Sequence, residues 1–211
     1  MPVSPFISPP SFIRSFFSET IWETNDGSVL FTFDDGPYPE STEIILQWLD
    51  EKKIKAQFFI NATGDRGALR EIAQSGHLLS NHLGTHRRAL FMSRKEIEKS
   101  LIETNDLISN ISGIECRYFR PPYGIPFFGM AHMMRKLLMK TVMWSLLSWD
   151  FRHEVKSVTR IIDRYIKTGN IMVFHNNPNT SPKIKEILDF TYSKIISKNL
   201  RIGDPAACLK Q

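Results

Sequence analysis

The sequence predicts one α/β domain, folded as a distorted parallel (β/α) barrel of about seven units. Short apolar runs alternate with longer segments of helical periodicity along most of the 211 residues. This alternation predicts right-handed β-α-β connections and a parallel sheet. Most of the runs are apolar at consecutive positions, which is typical of strands buried on both faces. The chain is short for a regular eight-unit barrel, which takes about 250 residues.

Seven runs are predicted as strands. They are residues 29–33, 56–60, 77–80, 117–119, 141–145, 171–174 and 200–202. An open doubly wound sheet is the alternative architecture, but no glycine-rich phosphate-binding pattern follows the first run, so a nucleotide site lacks support. The proline-rich start is predicted as an N-terminal extension, residues 1–27, of a domain that covers residues 28–211.

The segments between these runs carry helix signals. Ser41 is a candidate cap for the first long helix, and Ser93 with Glu96 has the spacing of a capping box. Val158 and Ile162 lie on one face of a further predicted helix. Strands and helices therefore keep alternating to the end of the chain.

Composition narrows the class of partner. Lys and Arg outnumber Asp and Glu by 27 to 22, but the basic residues are scattered among acids, so we expect no nucleic-acid partner. The excess favours an anionic partner such as a polyanionic glycan or a membrane surface.

Cys116 and Cys208 form neither a thiolate metal motif nor a disulfide framework. We find no signal-peptide pattern and no membrane-spanning run, and predict a cytoplasmic protein of undetermined oligomeric state.

The first predicted strand runs directly into Asp34 and Asp35. A turn explains this sequence as well, because Asp and the Gly36–Pro37 pair that follows both favour turns. Adjacent carboxylates repel each other, however, and the pair is easier to explain if a cation neutralises one of them.

His82 and His86 are the second candidate group. Their spacing of four brings two imidazoles to one side of a helical turn, where they can chelate one metal ion. An HxxxH pair alone is a weak signal. Joined to an aspartate from another strand end, it becomes a candidate His2Asp ligand set with open positions.

Three more predicted strands end in polar residues. These are Arg120, Asp150 and His175, which can also be read as a surface charge, a cap and a strand-end hydrogen bonder. Functional side chains gather at the carboxyl ends of parallel strands. Five polar strand ends together are harder to attribute to chance than any one of them.

The full set of motifs resembles the polysaccharide deacetylases of carbohydrate esterase family four, also called NodB-homology domains. The motifs occur in family order: TFDDG at 32–36, GHxxxNHxxxH at 76–86, RPPYG at 120–124, a partial WSLLSWDF at 144–151, and VFH at 173–175. The resemblance runs from about residue 28 to 199. It implies a NodB-like barrel that removes acetyl groups from N-acetylated or O-acetylated sugars of an oligosaccharide or polysaccharide.

The resemblance also implies a role for each matching residue. Asp35, His82 and His86 would hold a divalent metal, usually zinc in this family. Asp34 would be the general base and His175 the acid that protonates the leaving amine, oriented by Arg120 and Asp150 respectively. The remaining substrate residues are a backbone N–H near Tyr123 for the oxyanion, and Phe151 with Val173 for the acetyl methyl group.

Some positions depart from the family pattern, and two other readings stay open. Leu147 stands where the family usually has an acid, Phe151 where it has Trp, and Asn176 where it often has Asp. A metal-dependent hydrolase of cyclic amides or ureides, from a neighbouring branch of the fold, is one alternative. A non-catalytic glycan-binding relic is the other, although neither a ligand nor the acid–base pair is damaged in the sequence.

Overall fold

The computed structural model describes residue 7, residues 9–85 and residues 87–209. Within these ranges seven strands form one parallel sheet, in the spatial order β5-β4-β3-β2-β1-β7-β6. The strands are β1 (Leu30–Asp34), β2 (Gln57–Ile60), β3 (Leu78–Asn81), β4 (Tyr118–Phe119), β5 (Lys140–Thr141), β6 (Leu146–Leu147) and β7 (Ile171–His175). The sheet curls into a half-barrel, and the predicted fold class is confirmed.

Helices connect and cover the strands. They are α1 (Ser11–Phe16), α2 (Pro39–Lys52), α3 (Arg66–Gln74), α4 (Arg94–Ser112), α5 (Met130–Lys136), α6 (Val155–Tyr165), α7 (Ile184–Ser197) and α8 (Pro205–Cys208). Ser93 and Glu96 form the predicted capping box of α4. The cap expected at Ser41 is wrong, because α2 begins earlier, with Pro39 in its first turn. None of the described helices is both long and apolar enough to cross a membrane.

The interior strand β1, which lies between β2 and β7, is buried on both faces. Phe31 and Phe33 face the helices, where the Phe31 ring lies 5.5 Å from that of Trp48 in α2. Side chains alternate along a strand, so Leu30, Thr32 and Asp34 face the inside of the curl. The interior is apolar around Leu30 and becomes polar toward the carboxyl end of the strand. This change of polarity positions the site.

Two of the seven predicted strands are wrong in detail. Only Thr141 of the run 141–145 lies in a strand, at the end of β5, and β6 begins after the run, at the opposite edge of the sheet. Between the two strands, the backbone oxygens of Val142 and Met143 accept hydrogen bonds from the buried Arg120 guanidinium. The run 200–202 contributes only one bridge, between Val29 and Ile202.

The segment before β1 contacts both edges of the sheet. Ile21 donates its N–H to the Thr141 carbonyl oxygen (2.9 Å) and accepts from the Met143 N–H (2.8 Å) at the β5 edge. At the other edge, the Leu147 N–H donates to the carbonyl oxygen of Ile7 at 2.9 Å. The incomplete barrel is therefore bordered by chain from the N-terminal side.

Candidate active site

A cleft of about 420 Å³ opens at the carboxyl ends of the strands. The predicted residues that line it are Asp34, Asp35, His82, Tyr123, Phe151, Val173 and His175. Arg120 and Asp150 lie behind this surface and are fully buried. His86, the third predicted metal ligand, lies outside the described residues. The curl of the sheet thus brings together side chains from strand ends that are far apart in sequence.

Asp34 is held by a buried guanidinium. Arg120 Nη1 lies 2.6 Å from Asp34 Oδ1 and also donates to Thr32 Oγ1 at 2.8 Å. The Phe59 ring packs 3.9 Å from the guanidinium carbon. Every nitrogen of Arg120 has an acceptor, which is the condition for a charge to be tolerated in a protein interior. The Arg120 guanidinium fixes the orientation of the Asp34 carboxylate.

Asp35 turns away from Asp34 although the two are adjacent. Its φ of 75° places it in the left-handed region, which Asp tolerates better than most residues. Asp35 Oδ2 accepts a hydrogen bond from Asn177 Nδ2 at 3.0 Å, and Oδ1 lies 3.7 Å from His82 Nε2. Strand geometry and this backbone turn therefore give the two carboxylates different neighbours.

The donor atoms of Asp35 and His82 fit a zinc ion. A carbonyl oxygen can only accept, so His82 Nδ1, 2.8 Å from the Arg120 carbonyl oxygen, carries the ring proton. The lone pair is then on Nε2, the nitrogen nearer Asp35, and a histidine that donates its other ring N–H to a backbone carbonyl in this way is typical of metal-binding sites. In the described ranges, which omit His86, no group of three metal-ligating side chains is found. The three-ligand set stays a prediction.

His175 is paired with a fully buried carboxylate. Its Nδ1 lies 2.7 Å from Asp150 Oδ1, and its backbone N–H donates to Asp150 Oδ2 at 2.8 Å. Burial lowers the pKa of His175, but the charge and hydrogen bond of Asp150, together with the charges of Asp35 and Asp34, outweigh it and raise the pKa to about 9. His175 is therefore an imidazolium at neutral pH, with its Nδ1 proton held by Asp150.

This pairing makes a testable prediction. In chelator-treated protein we expect the His175 ring to titrate near pH 9, and Asp150→Asn to lower that midpoint because burial then acts without the opposing carboxylate. The folded-state pKa lies above the ordinary value of 6.5. The stability that the pair contributes is therefore fully present below pH 6.5 and lost as pH rises through about 9. Imidazole NMR titration and unfolding curves between pH 6 and 10 measure both effects.

The exposed Asp163→Asn variant is the matched control, because Asp163 pairs with Lys194 on the surface. It should leave the His175 midpoint where it is. An unchanged midpoint in Asp150→Asn would contradict the pairing.

One wall of the cleft is apolar and aromatic. Val173 and Leu147 pack with Met143 and Trp144. The Phe151 ring lies 4.5 Å from the His175 ring, between centroids. Phe151 and Val173 therefore both lie on an apolar wall beside His175, and their role toward an acetyl methyl group stays a prediction.

Tyr123 lies across the cleft in a 3₁₀ turn, Pro122–Gly124. Its φ is 60° and that of Gly124 is 64°, and a Cβ at residue 124 would collide with the Trp144 ring. The Gly124 N–H donates to the Pro121 carbonyl oxygen at 3.0 Å. The oxyanion role near Tyr123 stays a prediction.

The departures at 147 and 176 have different consequences. Leu147 lines the cleft and makes its wall apolar where an acid would have made it polar. Asn176 lies away from the cleft lining and is buried; its side chain accepts from Ser41 Oγ and donates to Thr42 Oγ1 at 2.8 Å. Its backbone N–H donates to the Asp34 carbonyl oxygen at 2.8 Å. Asn176 therefore connects the carboxyl end of β1 to the first turn of α2.

Sequence reasoning missed five residues of this site. They are Asn177, which orients Asp35, and Arg88, Trp144, Trp149 and Arg152, which line the cleft. Asn177 follows the polar end of β7, and this position could have identified it as a candidate site residue. No local pattern distinguishes Arg88 or Arg152 from other surface arginines.

The chain is similar to known proteins in sequence and in fold. The sequence model of the polysaccharide deacetylase family matches residues 22–142, more than half of the chain. A peptidoglycan-N-acetylglucosamine deacetylase of Bacillus cereus is 26% identical over 175 residues, which cover 81% of this chain and 64% of that protein. The chain thus spans less than two thirds of that relative's length.

Two solved structures are similar in fold. The Bc1960 peptidoglycan N-acetylglucosamine deacetylase superimposes with a TM-score of 0.86 at 22% identity, covering 93% of this chain and 97% of that one. A family 4 carbohydrate esterase pseudoenzyme of Bacillus anthracis, in a mutant form with restored enzymatic activity, gives a TM-score of 0.80 at 26% identity and covers 90% and 71%.

Proposed function

The chain belongs to the polysaccharide deacetylase family, and we propose from its cleft that it hydrolyses the acetyl amide of an N-acetylated saccharide. One observation carries the proposal: a carboxylate, Asp34, and an imidazolium, His175, line one small cleft, and each has its own buried partner. A carboxylate and an imidazolium are the base and the acid that amide hydrolysis requires.

Asp34 supplies the base. Its Oδ2, on the carboxylate whose Oδ1 is bound by Arg120, takes a proton from the water that attacks the acetyl carbon. Arg120 holds the carboxylate in one orientation, so little reorganisation precedes proton transfer. The apolar wall around Val173 receives the acetyl methyl group and excludes competing water from that side.

His175 supplies the acid. With Nδ1 held by Asp150, the proton on Nε2 is transferred to the amine nitrogen as the C–N bond breaks. Acetate and a free amine are the products, and the proton taken by Asp34 balances the one given by His175. Asp34 and His175 are direct partners in the register of the adjacent strands β1 and β7, so both reach the same amide.

Asp35, His82 and His86 would hold the divalent metal, and the donor chemistry of the first two favours zinc. When bound, the ion polarises the acetyl carbonyl and lowers the pKa of water. We further propose that the protein acts in the cytoplasm and that its metal is zinc.

Acetate release tests the function. Metal-reconstituted protein is incubated with acetylated chitooligosaccharides, peptidoglycan fragments, lipopolysaccharide sugars and acetylated xylan, and with soluble oligomers and intact polymer of the same glycan. Acetate and new amines in equal amounts support the proposal. Absence of acetate release from every one of these glycans would overturn it.

Metal removal gives a second expected result. We expect a chelator to abolish acetate release, Zn²⁺ to restore it, and Asp35→Ala to prevent restoration because a ligand is lost. Metal content by mass spectrometry and calorimetric zinc titration are the readouts. The exposed Asp106→Asn variant should bind zinc as the parent protein does. Full zinc affinity in Asp35→Ala would contradict the ligand assignment.

A further inference from the structure

Two exposed arginines, Arg88 and Arg152, line the mouth of the cleft. Arg88 lies in the segment that follows β3, and Arg152 follows β6 beyond Phe151. Strands β2, β1 and β7 separate β3 from β6 in the sheet. Arg88 and Arg152 therefore join the cleft lining from opposite sides of the sheet, and Asp34 and His175 lie on strands between them.

The protein's own carboxylates in and behind this cleft do not require these two charges. Asp34 is neutralised by Arg120, and Asp150 by His175. Asp35 faces His82 and Asn177. Across the described part of the chain, neither Arg88 nor Arg152 forms an ion pair. The positive charges of Arg88 and Arg152 at the mouth of the cleft are thus available to a ligand that enters it.

Arg88 is also pre-positioned. Its guanidinium carbon lies 5.2 Å from the centroid of the Tyr123 ring, and a guanidinium that stacks on a ring keeps its edge N–H groups for an oxyanion. The contact of Gly124 with Trp144 limits how far the Tyr123 turn can move. On the other wall, the Arg152 backbone N–H donates to the Trp149 carbonyl oxygen at 3.1 Å.

We propose that Arg88 and Arg152 bind an anionic substituent, a carboxylate or a phosphate, on sugars that flank the cleaved acetamide. The planar guanidinium fork matches the paired oxygens of both groups. This assignment rests on the proposed deacetylase function and narrows its substrates to acidic glycans. An apolar acetyl pocket alone would not distinguish acidic glycans from neutral ones.

The test compares matched neutral and anionic substrates. Acetate release is measured on N-acetylglucosamine oligomers, on oligomers of the same length that contain N-acetylmuramic acid, and on oligomers that carry a terminal phosphate. The variants are Arg88→Gln, Arg152→Gln and the double variant. Arg87→Gln and Arg160→Gln are the controls, because both residues are exposed and neither lines the cleft.

We expect kcat/KM to be higher for an anionic than for a neutral oligomer, and each cleft variant to reduce that ratio about fivefold, the scale of an exposed ion pair. The controls should leave the ratio unchanged. Rising salt should reduce it in the parent protein, since the mouth is exposed. The carboxylate and phosphate arms identify which anion is preferred.

The two proposals fail in different ways. Acetate release from every oligomer with the same rate constants, unaffected by the arginine variants, would overturn the anion site and leave the deacetylase function standing. If no oligomer is deacetylated, calorimetric binding of the amine products still decides the anion site. Equal affinity for neutral and anionic products would overturn it, and tighter binding of the anionic product that the double variant abolishes would support it.

Discussion

Asp34→Asn is expected to lower turnover by about 10²–10⁴-fold, equivalent to about 3–5 kcal/mol of activation free energy. Asparagine keeps the shape of the side chain and can still accept a hydrogen bond from Arg120, but it cannot take a proton from water. The measurement is the acetate release rate on the best substrate of the panel, with substrate at saturation.

The fold and the metal site serve as controls for this variant. Circular dichroism should be unchanged, and zinc binding should be retained because Asp35, not Asp34, is the proposed ligand. Asp106→Asn, an exposed substitution on α4, should leave turnover as it is. Near-normal turnover of Asp34→Asn would remove Asp34 from the role of base.

Arg120→Met is expected to reduce the free energy of unfolding by about 3–5 kcal/mol, because it leaves the buried Asp34 carboxylate without its counter-charge. The substitution also removes the donors to Thr32 and to the carbonyl oxygens of Val142 and Met143. Urea unfolding at neutral pH measures the loss.

A double-mutant cycle separates the charge from the lost hydrogen bonds. The double variant Asp34→Asn/Arg120→Met should lose less free energy of unfolding than the two single variants lose together. The reason is that the double variant leaves neither charge buried without its partner. Additive losses would show that Asp34 and Arg120 do not interact energetically.

Much of the site could be predicted because its residues end strands. A parallel sheet brings carboxyl ends to one edge, so Asp34, Asp35, His82 and His175 converge without any knowledge of loop structure. Asp150 was predicted as the polar end of the run 141–145, but in the structure it follows β6 instead. The sequence did not show that most of this run lies outside the strands, because its apolar side chains suit a strand as well as a cleft wall.

The contributions of Arg88, Arg152 and Trp149 could not be predicted for a different reason. Their positions depend on loop conformations, such as the left-handed backbone of Trp149 at φ 62°. Such conformations are fixed by tertiary contacts, and the local sequence does not encode them. For Asn177 the sequence indicated the polar strand end beside it, but it did not indicate that the side chain binds Asp35.

The N-terminal segment has a consequence for solubility during folding and storage. An incomplete barrel has two edge strands, and unpaired edges are templates on which other chains can add strands and aggregate. Here Ile21 takes up hydrogen-bonding groups beside β5, and Ile7 pairs with Leu147 of β6. One short stretch thus contacts both edges, and each edge leaves fewer unpaired backbone groups for another chain than a bare edge strand would.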